Sequence, residues 1–284
     1  MAIFQATLPE LPEGEAQSEL GVIYGEIRSF ARVPFVALLY RHLATRPGVL
    51  PRVWQALRPG FASGAIPDAA GRLAEIARLP VRLPLRAAEW RMAGLTAEDR
   101  VQIEHVLDAY HRANPINLLV ACLIKRLASG TEMAIAPATA GGSDDRPSRP
   151  SRPMIPPLKP LLPASAIPPE ISARLAALAS FGQPQSGAMT PSLYRHLAHW
   201  PGYLALLPAR LEPVFRQGVI ATAVKTYRRA ADEEANGLLL AARAQPMPEA
   251  ANGLGETLDA FAALIPEMIA VGRLARALLP REAI

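Results

Sequence analysis

Cysteine is nearly missing from this chain. The single one, Cys122, excludes a disulfide framework, a CxxC redox pair and any cysteine-based zinc site. Aromatic residues make up only 6%, and lysine is scarce, since 27 of the 30 Lys and Arg residues are arginines. Those arginines are scattered rather than run together, with Arg228-Arg229 the one adjacent pair, so a net charge of +5 carries no nucleic-acid footprint of basic blocks with interleaved aromatics. The longest purely apolar run, near Leu118–Ile124, is far short of the roughly 20 residues a membrane helix needs. The opening MAIFQATLPELPEGE is acidic and carries two prolines, unlike a signal or transit peptide. A glycine-rich phosphate loop, HExxH, a carboxylate cluster with metal spacing and a G-x-S-x-G elbow are all absent. A soluble, cytoplasmic protein is predicted, with no nucleic-acid or membrane partner, no metal and no cofactor.

What is present is apolar and helical. Half of the 284 residues are hydrophobic, ample for a core in one large unit or two. Alanine and leucine dominate and β-branched alternation is almost absent, so the fold class is all-α. Thr96-Ala97-Glu98-Asp99 resembles a capping box with Thr96 as N-cap and Asp99 in place of the usual Glu. Val101, Val106, Leu107 and Tyr110 follow at helical spacing, then a strongly apolar stretch from Asn117 to Leu127. Cys122 within that stretch is expected to be a small core residue, and Trp54, Trp90 and Trp200 core or interface fillers. Nine prolines lie between Arg146 and Pro169, where neither helix interior nor central strand is compatible with them. Three segments follow: a helical repeat over 15–133, an extended proline-rich linker over 134–170, and a second helical repeat over 171–284.

The two halves repeat each other. Leu39-Tyr40-Arg41-His42-Leu43-Ala44 recurs as Leu193-Tyr194-Arg195-His196-Leu197-Ala198, and the likeness extends through Pro47-Gly48 and Leu50 to nine identities in twelve positions at an offset of 154. A second block, Leu107-Asp108-Ala109-Tyr110 with Pro115, matches Leu258-Asp259-Ala260-Phe261 with Pro266 at an offset of 151. A tandem duplication is expected to place a pseudo-twofold axis, and a pocket, between the copies. Function should show where the copies disagree in polarity. Asn114 corresponds to Ile265, so Asn114 is either a helix-ending residue ahead of a proline or a polar hook in an apolar pocket. The paired His42 and His196 fit common packing at a helix surface, because both copies keep them.

Tyr24-Gly25-Glu26-Ile27-Arg28, Arg32-Val33-Pro34-Phe35-Val36 and the run from Arg41 to Leu50, together with Asn114-Pro115 and Ser192-Leu193-Tyr194 through Trp200-Pro201, resemble the group I 2-haloacid dehalogenases across both halves. The resemblance implies two helical repeats with an active site between them. There, an aspartate activates the water that displaces halide from the Cα of a 2-haloacid with inversion, without metal or covalent ester. It implies that Asn114 helps to hold that water, that Phe35, Leu38 and Asn117 shape the pocket, and that Ser192 stands beside the catalytic position. That position holds Leu193, which accepts no proton. His196, three residues on and so on the same helical face, is a substitute base by spacing. Two function classes follow: hydrolytic dehalogenation by a replacement base, or a non-catalytic or structural homologue whose pocket takes a small organic acid or apolar molecule. A homodimer is left open.

Overall fold

The computed structural model describes residues 8–80, 84–129, 153–182, 191–238, 247–282 and 284. Eleven α-helices are present among them and no strand. They are α1 (Ser18–Ala31), α2 (Leu38–Leu43), α3 (Val49–Ala62), α4 (Ala65–Glu75), α5 (Ala87–Met92), α6 (Ala97–Ala128), α7 (Pro169–Ala179), α8 (Ser192–Leu197), α9 (Pro201–Arg216), α10 (Val219–Gly237) and α11 (Leu254–Ala277).

The long helices α6 and α11 pack along each other and form the centre of the molecule. Their central residues are buried nearly without interruption, from Ala113 to Ile124 and from Leu264 to Val271. Apolar side chains on every face need cover on every face, which the shorter helices supply. Pro115 and Pro266 lie inside these two helices. Asn114 therefore does not end a helix: α6 runs on through Pro115, which leaves one carbonyl of the preceding turn without its usual donor.

The start of α6 matches the sequence expectation. Thr96 Oγ1 accepts from the Asp99 amide at 3.1 Å, and Asp99 accepts from the Thr96 amide at 2.8 Å. Asp99 also accepts from Trp200 Nε1 at 2.9 Å, so one carboxylate caps α6 and holds the indole that opens α9. Asp99→Ala removes both, and the unfolding free energy is expected to fall by about 2 kcal/mol in urea titrations. An unchanged midpoint would show that solvent replaces the cap.

The repeated glycines serve different purposes. Gly48 adopts φ 72° before α3, a left-handed backbone that side chains disfavour. Gly202 has an ordinary backbone, but a Cβ there would stand 2.1 Å from the Ala93 carbonyl oxygen.

The proline-rich segment does more than connect helices. Residues 134–152 lie outside the described residues, whereas 153–163 form neither helix nor strand and lie against the helices, with Ile155 buried. Proline removes amide donors, so such a segment docks mostly through its carbonyl acceptors, the Ile155 amide to the Arg32 carbonyl being an exception. Arg112 donates to Pro153, His196 to Lys159, His199 to Pro160 and Arg195 to Leu162.

Candidate functional site

A cavity of about 520 Å³ opens where α2, α6, α8, α11 and the proline-rich segment meet. Every site residue singled out in the sequence lines it: Phe35, Leu38, Asn114, Asn117, Ser192, Leu193 and His196. Phe35 lies in the bend before α2 and Leu38 opens that helix, while Asn114 and Asn117 sit one helical turn apart on α6. Ser192, Leu193 and His196 come from α8, and Leu264, Ile265 and Met268 of α11 face them. The cavity thus takes residues from both sequence halves.

Asn114 and Asn117 are buried, and neither side-chain amide has a hydrogen-bond partner among the described residues. Burying an amide unpaired is unfavourable by about 1–3 kcal/mol, so these two are open to a ligand or water in the cavity. Ile265, the counterpart of Asn114, contributes only an aliphatic surface. Leu193 is 1% exposed, and its Cδ2 lies 3.6 Å from where a Cβ on Gly272 would be.

His196 has both ring nitrogens engaged. Nε2 lies 3.0 Å from the Lys159 carbonyl, which only accepts, so Nε2 carries the proton in the neutral ring. Nδ1 is then the acceptor and receives the Tyr110 hydroxyl at 2.8 Å. Burial pushes the imidazole down to about 4, against a weaker upward pull from the Lys159 carbonyl. This corrects the simple picture of His196 as a base facing the cavity: its accepting nitrogen already holds Tyr110. Phe35 packs on Tyr110 with ring centroids 5.0 Å apart and on His196 at 6.0 Å. Burial raises the Tyr110 hydroxyl, while Arg41, Arg195 and a bond from Ser192 pull it the other way.

Tyr110 is a site residue that helical spacing alone does not single out. Its counterpart is Phe261, a polarity difference of the same kind as Asn114 against Ile265. His42, with no tyrosine partner, lies 2.8 Å by Nδ1 from the Pro9 carbonyl and leaves Nε2 buried without a partner. The two histidines are both buried, one in α2 and one in α8, but their partners differ.

The cavity also carries charge. Glu10, Glu13, Arg41, Lys159 and Arg195 line it. Arg41 pairs with Glu10 at 2.7 Å, and Glu13 with Arg28. Cys122 lies away from this cavity, buried in α6, with its thiol pushed up to about 12 by burial, which leaves it protonated at neutral pH.

Over 97% of its length, the chain superposes on 95% of a D-2-haloacid dehalogenase mutant solved with D-2-CPA, at a TM-score of 0.71 and 19% identity. A D-2-haloacid dehalogenase solved with L-LA gives the same TM-score at 20% identity and the same coverage. The chain has the D-2-haloacid dehalogenase fold. In sequence it is 32% identical over 129 residues to the configuration-inverting 2-haloacid dehalogenase of Alcaligenes xylosoxydans xylosoxydans, spanning 45% of this chain and 43% of that protein. It is 26% identical over 113 residues to the enzyme of the same description from Pseudomonas sp. (strain 113), spanning 39% and 37%. These matches cover less than half the length of either relative. No family model matches the chain. Among the described residues no group of three or more His, Cys, Asp or Glu is placed to hold a metal ion, and no helix is long and apolar enough to cross a membrane.

Proposed function

We propose that this protein is a tandemly duplicated, 2-haloacid dehalogenase-like protein whose cavity between the repeats binds a small 2-substituted carboxylic acid and lacks the base for efficient hydrolysis. The observation that carries this reading is the meeting of Asn114, Asn117, Ser192, Phe35 and Leu38 with Leu193 in one cavity. The residues that would hold water and shape the substrate are together, and the position that the family resemblance assigns to the aspartate is a buried leucine. Without general-base assistance a bound water is a poor nucleophile at carbon, a deficit of typically 10²- to 10⁴-fold. Solubility, a cytoplasmic place and action without metal or cofactor belong to the same reading.

The test combines titration calorimetry with halide release, using racemic 2-chloropropionate and purified native protein. Binding without halide release above the buffer rate is expected, and Asn114→Ala is expected to weaken binding about tenfold, the loss of one or two hydrogen bonds. Rapid halide release by the native protein would overturn the missing base.

One observation favours a second reading. Tyr110 donates to His196 Nδ1 at the cavity wall, so a water bonded to Tyr110 has a two-step route for its proton. Under that reading native turnover exists and Tyr110→Phe abolishes it.

A further inference from the structure

Of the cations lining the cavity, Arg195 stands apart. Arg41 is held by Glu10, and Lys159 lies 4.8 Å over the Trp200 ring. Arg195 is 8% exposed and has no ion pair among the described residues. Its protein partner is the Leu162 carbonyl, reached by Nε at 2.9 Å and Nη2 at 2.7 Å. A guanidinium has five N–H donors in a planar fork, so these two hydrogen bonds to one oxygen leave three donors, the two on Nη1 and one on Nη2. These remaining donors lie along the Nη1/Nη2 edge, the geometry that receives a carboxylate bidentately.

The surrounding charges sharpen the case. Burial draws the Arg195 guanidinium below its usual range, while Glu10 pulls it back up across the cavity. Glu10 is already committed to Arg41, and Glu13 accepts from the Val36 amide and from Arg28. With those two pairs closed, Arg195 and Lys159 are the lining cations without an ion pair among the described residues, and Arg195 is the buried one of the two. A buried cation without a counter-charge is unfavourable, and an anion entering the cavity removes that penalty. The Tyr110 hydroxyl, which Ser192 hydrogen-bonds, lies close enough to feel both Arg41 and Arg195.

We propose that Arg195 anchors the carboxylate of the ligand, so that the cavity selects small monocarboxylates over their amides and over dicarboxylates. The inference rests on the reading of the cavity as a site for small acids and adds the residue and the charge rule that define the class. The amide offers one neutral oxygen to the fork. A second carboxylate would enter a cavity that Glu10 and Glu13 also line, where it competes with them for Arg41 and Arg28.

The experiment is calorimetric titration of the native protein with 2-chloropropionate, 2-chloropropionamide and 2-chlorosuccinate, repeated with Arg195→Gln and Arg195→Lys. The native protein is expected to bind the acid at least tenfold more tightly than the amide or the diacid. Arg195→Gln should lose 10- to 100-fold for the acid and almost nothing for the amide, with Arg195→Lys in between. Acid and amide bound equally by the native protein overturn the anchor and leave the pocket reading standing. An acid preference that persists in folded Arg195→Gln overturns the assignment to Arg195. If Arg195→Gln fails to fold after losing Leu162, Arg195→Lys and the native comparison decide. Failure of the native protein to bind any of the three overturns the pocket reading and the anchor with it.

Discussion

Leu193→Asp is expected to raise halide release from 2-chloropropionate by about 10²- to 10⁴-fold over the native protein, the range one positioned general base contributes. Leucine and aspartate have similar reach, so the new carboxylate would occupy a place already shaped for a branched side chain, on α8 beside Ser192 and inside the cavity. Its burial works against it, since Leu193 is 1% exposed. Asn114, Ser192 and the Arg195 guanidinium at the same cavity offset that penalty. The melting temperature should fall by a few degrees while activity rises. Adding Asn114→Ala should return the rate to the native level, because a base without a held water has nothing to activate. A folded Leu193→Asp protein that binds 2-chloropropionate yet releases no halide would show that more than the base is missing. The stereochemistry of the product offers a second check, since direct attack by water inverts the carbon.

Much of the cavity lining is legible in the amino-acid sequence alone, and particular residues show why. Comparing the halves exposes Asn114 because packing keeps copies alike and a single amide among aliphatics stands out against that background. The helix caps, the burial of Cys122 and the tryptophans follow from local rules that need no tertiary information. Asn114 as a helix terminator fails because α6 is clamped along its length by α11, and such packing outweighs the hydrogen bond that a proline removes.

The partners of the charged residues are illegible for a different reason. Arg41 and Arg195 occupy equivalent places in the repeated motif, yet one meets Glu10 and the other a proline-segment carbonyl. Those partners come from segments outside the repeated blocks, at residues 8–13 and 153–163, where comparing copies carries no information. The same holds for His196, whose acceptor partner Lys159 belongs to the segment that composition marks only as a connection. Tyr110 is within reach: its hydroxyl against the Phe261 ring is the same signal that Asn114 gives against Ile265.

The engagement of His196 has a consequence for stability that is large and separable from catalysis. Its folded pKa is about 4, whereas an unfolded chain returns it to about 6.5. The unfolded state therefore binds more protons between these values, and stability rises with pH across that window. Lowering the pH from 7 should leave stability unchanged until about 6.5, then reduce it progressively toward 4, by about 3 kcal/mol in all for this one group. His111 adds in the same direction, because burial, beside Arg273 and Arg276, holds it below its usual range. The lowered carboxylates Glu26, Glu89 and Asp99 also cost stability on acidification, but only from the ordinary carboxylate range downward, where the unfolded chain takes up protons before the folded one does. The interval from 6.5 to about 4.5 thus belongs to the histidines. Urea unfolding at half-unit steps from pH 7.5 to 4.5, with the imidazole resonances followed in parallel, measures both quantities. The His196 resonance should hold its neutral position down to pH 5 while the unfolding free energy declines. A His196 titration centred near 6.5, with flat stability, would mean that the ring is not held between Tyr110 and Lys159 in solution.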